Sequence, residues 1–488
     1  MKLLVVGLDS AAPELLFGDE RLANFRRLME EGCYGRLETI IPPITVPAWM
    51  CMATSQDPGS LGVYGFRNRA DHSYDGLAIA NSRSIRELAV WDQVAREGKR
   101  ANVFSVPPGY PPRKVNGISV GCFLTPDTAT DEYTVPPSVK ATIAELVGEY
   151  PVDVKGFRTP DKSWLKEQIY TMSRKHFDVI RHFLRRSEWD YFHFVEIGLD
   201  RLQHGFWKFH DPDHVLHEPG NPYEDVIRDY YVYLDDELGQ VLDLLDEETA
   251  VLVLSDHGSR PLDGGFCVNE WLVREGLLAL DTYPRAVTPF AGLAVNWEKT
   301  RVWSEGGYYA RVFLNVKGRE PRGTIEPADY ERFRDEVKAR LEALTDDHGR
   351  PLGTIVYKPE EIYRNVKNVA PDLIVHFGAL AWRSIGGVGY SALHVQENDT
   401  GPDDCNHAQH GSFILAAPGS PLRGEVTGTH IMQMAPTLLE LGGYDLPSTM
   451  QGTSLLAGRG LGAVERPAID PDREAIIRER LTGLGYIS

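Results

Sequence analysis

Seven polar residues spread along the chain are of the types that bind divalent cations in proteins. Several of them stand where an apolar run of residues ends in a polar turn. Three carboxylates, three imidazoles and one hydroxyl are enough to hold two divalent cations with a nucleophile between them. The seven residues are Asp9, Thr45, Asp200, His204, Asp256, His257 and His407. The set predicts a two-metal site, although each residue also has an ordinary structural explanation.

Two short motifs carry the clearest local signals. Asp256-His257 follows the apolar run Val251–Leu254, so two adjacent ligands stand on one turn. The alternative is a polar turn with a capping aspartate. Asp200 and His204 are four residues apart, which on a helix puts both on one face with about 5–6 Å between their Cβ atoms. Taken alone, this pair is better explained as a capping aspartate and a solvated histidine.

Asp9 and Thr45 gain meaning from the elements beside them. Asp9 ends the first apolar run, and a buried carboxylate there needs a partner, which is either a metal or a helix N-terminus. Thr45 opens a predicted helix with Pro47 near its first position. The ordinary explanation of Thr45 is an N-cap residue. The functional alternative is a nucleophile whose hydroxyl pKa is lowered by a metal.

The last candidate ligand has rivals. His407 lies just before a predicted core strand, and His410 and His430 compete for the same role. A lone histidine in such a place is more often structural than a ligand. Each ordinary explanation is reasonable singly, but the joint occurrence of the seven residues in this order favours a metal site.

The predicted elements bring several candidates to one edge of a sheet. Leu3–Leu8, Tyr191–Ile197 and Ala250–Leu254 are predicted strands, and residues 162–187 form a predicted long helix. Strands that alternate with helices indicate a three-layer α/β/α sandwich with a mostly parallel central sheet. Ligands of such sheets bind beyond the carboxyl ends of the strands, where the three candidate aspartates are placed.

The chain divides into a core and an insertion. Residues 1–280 and 366–488 have the core pattern, with predicted core strands at Pro371–Phe377 and Gly411–Ala416. Residues 281–365 differ in character, with a predicted hairpin and a surface helix. We expect this insertion to form a smaller cap region that shapes the substrate pocket.

Other segments complete the predicted elements. Residues 57–160 are rich in Pro, Gly, Tyr and Asp, and we expect them to form mixed strands and long loops near the mouth of the site. Helices are predicted at Leu22–Glu31, Tyr330–Leu344, His430–Leu441 and Glu474–Leu481.

Composition limits the class of protein. The 488 residues are 42% hydrophobic and 25% charged, which is typical of a soluble globular protein. The formal net charge of −19 repels phosphate backbones, so tight tracking along nucleic acid is not expected. A small phosphorylated substrate is compatible with this charge, because a bound metal pair reverses the local field.

Cysteine usage and hydropathy indicate the compartment. The five cysteines include no CxxC pair, and we interpret them as reduced thiols of a cytoplasmic protein. The first apolar run is too short for a signal peptide, and no stretch approaches the roughly 20 apolar residues of a membrane span. We therefore expect no membrane partner. The sequence does not indicate the oligomeric state.

Taken together, the motifs resemble the alkaline phosphatase superfamily, specifically its type I phosphodiesterase/nucleotide pyrophosphatase branch. Gly7-Leu8-Asp9 resembles the first metal motif, and Ile44–Trp49 resembles the nucleophile motif. Gly198–His204 and Ser255–Gly258 resemble the two central metal motifs, and the segment from His407 to Gly419 resembles the one that holds the last histidine. Further matches are Met434–Leu439, Pro447–Leu455, Glu479–Leu481 and Leu484–Tyr486.

The resemblance implies how the seven residues divide. One metal would be held by Asp200, His204 and His407. The other would be held by Asp9, Thr45, Asp256 and His257. Zinc suits these mixed ligands, with manganese and iron as alternatives. Thr45 would attack phosphorus and form a covalent phosphothreonyl intermediate, and Asn68 is a candidate donor to a phosphoryl oxygen.

Several functions fit such a site. The leading hypothesis is metal-dependent hydrolysis of a phosphodiester or nucleotide pyrophosphate bond. A phosphonate hydrolase or phosphomonoesterase of the same superfamily is the alternative, although a threonine nucleophile favours diesters, pyrophosphates or phosphonates. A sulfatase is disfavoured because the segment around Thr45 lacks the required cysteine and arginine. The non-enzyme alternative is a catalytically silent protein that binds a phosphate ligand.

Overall fold

The structure, a computed structural model, describes residues 1–397 and 399–457. The predicted helix Glu474–Leu481 and the two tail segments that resemble the family lie outside the described residues. Within the described residues, no helix has both the length and the apolar composition that crossing a bilayer requires.

A large mixed sheet forms the centre of the molecule. Across the sheet, the strands follow the order Gly424–Glu425, Cys33–Glu38, His410–Ala416, Thr249–Leu254, Lys2–Leu8, Tyr191–Glu196, Ala101–Phe104, Gly117–Val120 and Thr134–Val135, with Thr429–His430 also paired to Cys33–Glu38. The central strands pair in parallel. His410–Ala416 is antiparallel to both of its neighbours, and Thr134–Val135 closes the far edge in antiparallel pairing.

The central strand Lys2–Leu8 shows why the sheet is covered on both faces. Side chains alternate along a strand, and here both alternating sets are apolar. Leu4 and Val6 belong to one hydrophobic cluster, whereas Leu3 and Val5 belong to another on the opposite face. A strand buried on both faces requires a helical layer on each side.

Two helical layers meet this requirement. The first cluster is covered by Ala23–Glu31, Lys162–Arg186, Gly198–His210 and Val226–Leu242. The second is covered by Thr45–Thr54, Val90–Arg96 and Met434–Gly442. The predicted three-layer α/β/α sandwich is therefore confirmed.

Residues 57–160 contribute more to the core than their composition suggested. They contain the predicted loops and strands, of which Ala101–Phe104 and Gly117–Val120 join the central sheet, and they also form the helices Val90–Arg96 and Ser138–Val147, which were not predicted. Both strands have only four residues, so the period-two pattern that identifies a strand has little length in which to appear.

A second hydrophobic core lies beside the sandwich. An antiparallel sheet in the order Val302–Glu305, Ala310–Leu314, Leu373–His376 and Ile355–Tyr357 packs with the helix Tyr330–Glu342. A three-stranded sheet has the order Trp382–Ile385, Gly264–Cys267 and His394–Val395. The predicted hairpin and surface helix are both present.

One predicted core strand belongs to this second sheet. Leu373–His376 is a buried strand, as expected for Pro371–Phe377, but it pairs with Ala310–Leu314 and not with the central sheet. The prediction that residue 366 begins the return to the core sheet is therefore wrong for this strand. An apolar strand is equally suited to either core, so its hydrophobicity alone cannot assign it.

The remaining elements are short. The helices are Pro13–Gly18, Pro58–Leu61, Val268–Arg274 and Pro359–Ile362, and the single turns of 3-10 helix are Ser82–Ser84, Phe290–Gly292, Pro327–Asp329, Phe377–Leu380 and Ile431–Gln433. Two small antiparallel pairs are Arg67–Arg69 with Leu77–Ile79, and Gly258–Pro261 with Cys405–Ala408.

Candidate active site

Three parallel strands deliver the aspartates to one edge of the central sheet. Asp9 follows Lys2–Leu8 directly, and Gly7 pairs with Leu254 in the neighbouring strand. Because the two strands run in step, Asp9 and Asp256 lie side by side two residues further on. Asp200 occupies the first turn of the helix that follows the third strand, and all three carboxylates are buried.

Thr45 is the first residue of the buried helix Thr45–Thr54, and the N-cap position belongs to Ile44. The hydroxyl of Thr45 therefore does not cap its own helix, contrary to the ordinary explanation. Its Oγ1 lies 3.3 Å from Nε2 of His257. The side chain is 5% exposed, so the hydroxyl faces the acidic cluster.

His407 reaches the same place from the strand Cys405–Ala408, which pairs with Gly258–Pro261. Its ring stacks on that of His257 with 3.7 Å between centroids. Its rivals lie elsewhere: His410 is exposed, and His430 accepts a hydrogen bond from the backbone of Met432. The structure thus brings His407 to the aspartates, and its role as a ligand stays a prediction.

The acidic and imidazole side chains form two groups. Asp200, His204 and His407 offer ligand atoms within 4.8 Å of one another, and so do Asp9, Asp256 and His257. This division matches the one that the family resemblance implied, and Thr45 adjoins the second group.

Each of the three histidines has one ring nitrogen hydrogen-bonded outside the group and the other directed into it. Nδ1 of His257 donates to the carbonyl oxygen of Gly258 at 3.1 Å, and Nδ1 of His407 donates to that of Pro43 at 2.7 Å. A carbonyl oxygen only accepts, so the hydrogen resides on Nδ1 and the lone pair on Nε2. In His204, Nδ1 faces a carboxylate oxygen of Asp403 at 2.6 Å and Nε2 faces Asp200.

Each carboxylate repeats this pattern with its two oxygens. Asp9 accepts from Nε1 of Trp49 at 3.1 Å through Oδ2, and Asp256 accepts from the backbone N–H of Ser10 at 3.2 Å through Oδ1. Asp200 accepts from Arg201 at 2.5 Å through Oδ2. The second oxygen of each carboxylate is turned toward an Nε2 atom.

The free atoms are buried without hydrogen-bond partners among the described residues. They are Oδ1 of Asp9, Oδ1 of Asp200, Nε2 of His204 and Oδ2 of Asp256. A buried polar atom without a partner is expensive, and four of them in one place require an explanation. Two divalent cations satisfy all four atoms at once, so the residues fit a two-metal site.

Proton affinities in the site agree with this fit. Burial, with the nearby charge of Asp200, raises the pKa of Asp9 well above its ordinary value, and burial together with Asp9 does the same for Asp256. Burial lowers the pKa of His257 to about 4, which keeps its imidazole neutral near pH 7. The two carboxyls would hold protons on their own, and a cation in each group takes the place of those protons.

Backbone conformation and packing fix the two groups that donate hydrogen bonds to Asp9 and Asp256. Gly7 has no room for a Cβ atom, which would lie 2.6 Å from the Trp49 ring, so the glycine admits the indole that binds Asp9. Ser10 has a φ of 69°, a left-handed conformation that costs free energy in a residue with a side chain. This conformation accompanies the hydrogen bond from the Ser10 N–H to Asp256.

Sequence reasoning missed several residues that support the site. Asp403 contacts His204, Arg201 contacts Asp200, and the ring of Tyr308 stacks on His407 with 4.3 Å between centroids. Proximity in sequence was an available signal for two of them, since Arg201 follows Asp200 and Asp403 precedes His407 by four residues. Tyr308 comes from the insertion and had no such signal.

Asn68 lies in a local loop contact. Its Oδ1 accepts from the N–H of Tyr64 at 2.7 Å, and its Nδ2 donates to the carbonyl of Gly65 at 2.9 Å. These bonds give Asn68 a structural role in the turn, and its predicted contact with a phosphoryl oxygen stays a prediction.

Comparison with known structures shows the fold. Murine ectonucleotide pyrophosphatase/phosphodiesterase 5 matches with a TM-score of 0.53 and 14% identity over 92% of this chain and 96% of that chain. The human protein of the same name matches with a TM-score of 0.52 and 15% identity over 93% and 97%. An inactive variant of the murine protein in complex with AMP gives 0.53 and 14% over 92% and 96%. The predicted alkaline-phosphatase-like fold is confirmed.

Comparison of sequences shows the family. No curated protein matches the chain. The family model for type I phosphodiesterase / nucleotide pyrophosphatase, however, matches residues 3–412. This span covers most of the chain and includes all seven candidate residues. The chain therefore belongs to the type I phosphodiesterase/nucleotide pyrophosphatase family and is a phosphoric ester hydrolase.

Proposed function

We propose that this protein hydrolyses a phosphodiester or nucleotide pyrophosphate bond through a covalent intermediate on Thr45, with two divalent cations in the site. One observation carries the proposal. Four buried ligand atoms without partners are directed into two groups, and the hydroxyl of Thr45 adjoins one of them. A nucleophile beside a pair of cation-binding groups is what in-line displacement at phosphorus requires.

The six acidic and imidazole residues, with Thr45, would hold the two ions. Asp200, His204 and His407 would hold one, and Asp9, Thr45, Asp256 and His257 would hold the other. When bound, the ions supply electrostatic stabilisation of the phosphoryl oxygens and lower the pKa of coordinated hydroxyl and water. Zinc is the proposed metal, because mixed carboxylate and imidazole ligands suit it.

Thr45 performs the first step. A bond forms between its Oγ1 and phosphorus, while the bond from phosphorus to the leaving oxygen breaks on the opposite side. The hydroxyl proton is released to water, because Nε2 of His257, 3.3 Å from Oγ1, would be occupied as a ligand of the second ion. The N-terminus of the helix Thr45–Thr54 offers backbone amides to a non-bridging oxygen. Water then attacks phosphorus and releases Thr45, which completes hydrolysis.

A nucleotide is the proposed kind of substrate. The murine neighbour was solved in complex with AMP, and its inactive form carries a threonine-to-alanine change. Both facts concern the murine protein, and they support the proposal because this chain belongs to the type I phosphodiesterase/nucleotide pyrophosphatase family. Residues 281–365 would act as a cap over the substrate, and the stacking of Tyr308 on His407 supports this.

A panel of substrates tests the activity. We expect turnover of a bis-aryl phosphate to exceed that of an aryl monophosphate and an aryl sulfate, and to be lost on chelation and restored by added metal. Equal or faster turnover of the monoester would move the assignment to a phosphomonoesterase, and preference for an aryl phosphonate would move it to a phosphonate hydrolase. Full activity after complete metal removal would contradict the two-metal mechanism.

The proposed location is the cytoplasm. All five cysteines are buried, and within the described part of the chain no disulfide joins any two of them, which supports a reducing compartment. Imaging and fractionation of the full chain in its native cell test this proposal. Recovery in an oxidising compartment would overturn it.

A further inference from the structure

We propose that Asp403, held by Arg158 and Arg383, is the positioning residue that prepares His204 to bind one of the two metal ions. The proposal rests on the proposed function, because it concerns the group formed by Asp200, His204 and His407. It identifies residues that do not bind a cation themselves but hold the ligands of one cation, and not those of the other, in position.

Both oxygens of Asp403 are occupied by donors. Oδ1 faces Nδ1 of His204 at 2.6 Å, and Oδ2 accepts from Nε of Arg158 at 3.1 Å and from Nη1 of Arg383 at 2.9 Å. The Asp403 side chain is fully buried. A carboxylate that receives a donor on each oxygen is fixed in orientation, because rotation would break several bonds at once.

The orientation of Asp403 determines which nitrogen of His204 is free. Because Asp403 accepts at Nδ1, that nitrogen keeps its hydrogen, and Nε2 is the nitrogen left to offer a lone pair to a cation. That Nε2 lies 3.3 Å from Oδ1 of Asp200, and neither atom has a hydrogen-bond partner among the described residues. A carboxylate behind a histidine in this way orients a ligand and raises its basicity.

Arg158 links the two imidazoles of the same group. Its Nη2 donates to the hydroxyl of Tyr308 at 2.5 Å, and the Tyr308 ring lies against His407 at 29° to its plane. The guanidinium of Arg383 also lies over Tyr308, 4.6 Å from the ring centroid. We call Asp403, Arg158, Arg383 and Tyr308 the clamp, since together they contact His204 and His407.

The second group, formed by Asp9, Asp256 and His257, is hydrogen-bonded by different residues. Asp9 is bound by Trp49, Asp256 by Ser10, and His257 by the carbonyl of Gly258. Among the described contacts, the clamp therefore touches ligands of one group directly, so its loss is expected to weaken one ion more than the other. A general structural role would instead weaken both ions or neither.

Metal titration of the metal-free full chain tests the clamp. For Asp403→Asn, zinc binding measured by calorimetry should show one of two ions bound about 10–100-fold more weakly, the effect expected for such outer partners. The other ion should bind as in the unaltered protein. Nitrogen-15 spectra of labelled histidine should show a ring protonation pattern at His204 that differs between Asp403→Asn and the unaltered protein.

Two further variants keep the test decisive. Asp404→Asn makes the same chemical change at the next buried carboxylate, whose nearest cation is Lys208 at 3.9 Å, and should bind both ions normally. Arg158→Gln should weaken the same single ion by a smaller factor, and its side chain is 21% exposed, so folding should survive. Unchanged binding in Asp403→Asn and Arg158→Gln, or equal weakening of both ions, would overturn the clamp. Absence of zinc binding in the unaltered protein would overturn the two-metal proposal itself.

Discussion

At the scale of single residues, the site follows one rule. Each of the six carboxylate and imidazole candidates uses one polar atom to hold its orientation and directs the other into its group. The tying partners are mostly fixed acceptors or donors such as the Gly258 carbonyl and the Trp49 indole. The residue types of the seven candidates could be predicted from sequence, because carboxylates and imidazoles stand out at the ends of apolar runs. Their partners could not, since Pro43 and Trp49 are far from His407 and Asp9 in sequence.

Asp256→Asn tests this rule at one position. The asparagine Oδ1 can still accept from the Ser10 N–H, but the atom that faces His257 loses its charge. Because burial raises the pKa of Asp256 well above its ordinary value, the metal-free carboxyl already holds a proton, and the neutral asparagine should leave the metal-free protein no less stable. Elemental analysis should show a fall from two ions per chain to one, whereas Asp236→Asn, a change at an exposed helix residue, should retain two. Two ions in Asp256→Asn would remove this residue from the ligand set.

At the scale of elements, the site depends on three parallel strands that end in step. Continuous apolar runs predicted these strands correctly. The long helix Lys162–Arg186 was also predicted correctly, over residues 162–187. Strands were expected within residues 57–160, but their positions and their place in the central sheet could not be predicted, and neither could the assignment of Leu373–His376 to the second sheet. Strand pairing is decided by contacts between distant segments, and hydrophobicity does not encode the partner.

Gly7→Ala tests how closely the first strand and the Thr45 helix must approach. A Cβ at this position would lie 2.6 Å from the Trp49 ring and 2.7 Å from Val195. Overpacking of this kind should destabilise the protein by about 1–3 kcal/mol, and displacement of Trp49 should weaken metal binding. Denaturant unfolding and metal titration measure both effects. Gly18→Ala, where a Cβ meets nothing within 4 Å, should change neither, and an equally unaffected Gly7→Ala would show that the close packing is not needed.

At the scale of the whole molecule, a sandwich and a second core meet at the site. The insertion supplies Tyr308, which stacks on His407, while both faces of the central sheet carry helices that hold the ligands in place. Composition and alternation of elements predicted the sandwich. The contact of the insertion with the metal groups was not predictable, because it depends on how two separately packed cores meet.

Stability should depend on pH through a buried pair beneath the site. Burial alone would lower the pKa of His176, but the carboxylate of Glu196 has the larger effect and raises this pKa above its ordinary value of 6.5. Burial alone would raise the pKa of Glu196, but His176 has the larger effect and lowers this pKa below its ordinary value of 4.5. The raised histidine stabilises the fold below pH 6.5 and loses this effect as pH rises through the folded pKa. The lowered glutamate stabilises above pH 4.5 and loses its effect as pH falls.

The His176 pair should therefore contribute most between pH 4.5 and 6.5. His176→Gln should lower the unfolding midpoint most in that window, and the difference from the unaltered protein should shrink toward pH 9. Thermal unfolding across pH measures it, with exposed His348→Gln as the control. A constant difference at all pH values would show that the effect comes from packing and not from charge.

The central claim is that Thr45 becomes covalently bound to phosphorus during turnover. The direct measurement is an acid quench of the metal-loaded enzyme during hydrolysis of an aryl phosphodiester, followed by mass spectrometry of the peptide that contains Thr45. We expect a phosphoryl ester on Thr45 that requires metal, moves to serine in Thr45→Ser, and is absent from Thr45→Ala together with a loss of activity of about a thousandfold or more. Undiminished hydrolysis by Thr45→Ala, or a phosphoryl group on a different residue, would contradict the account.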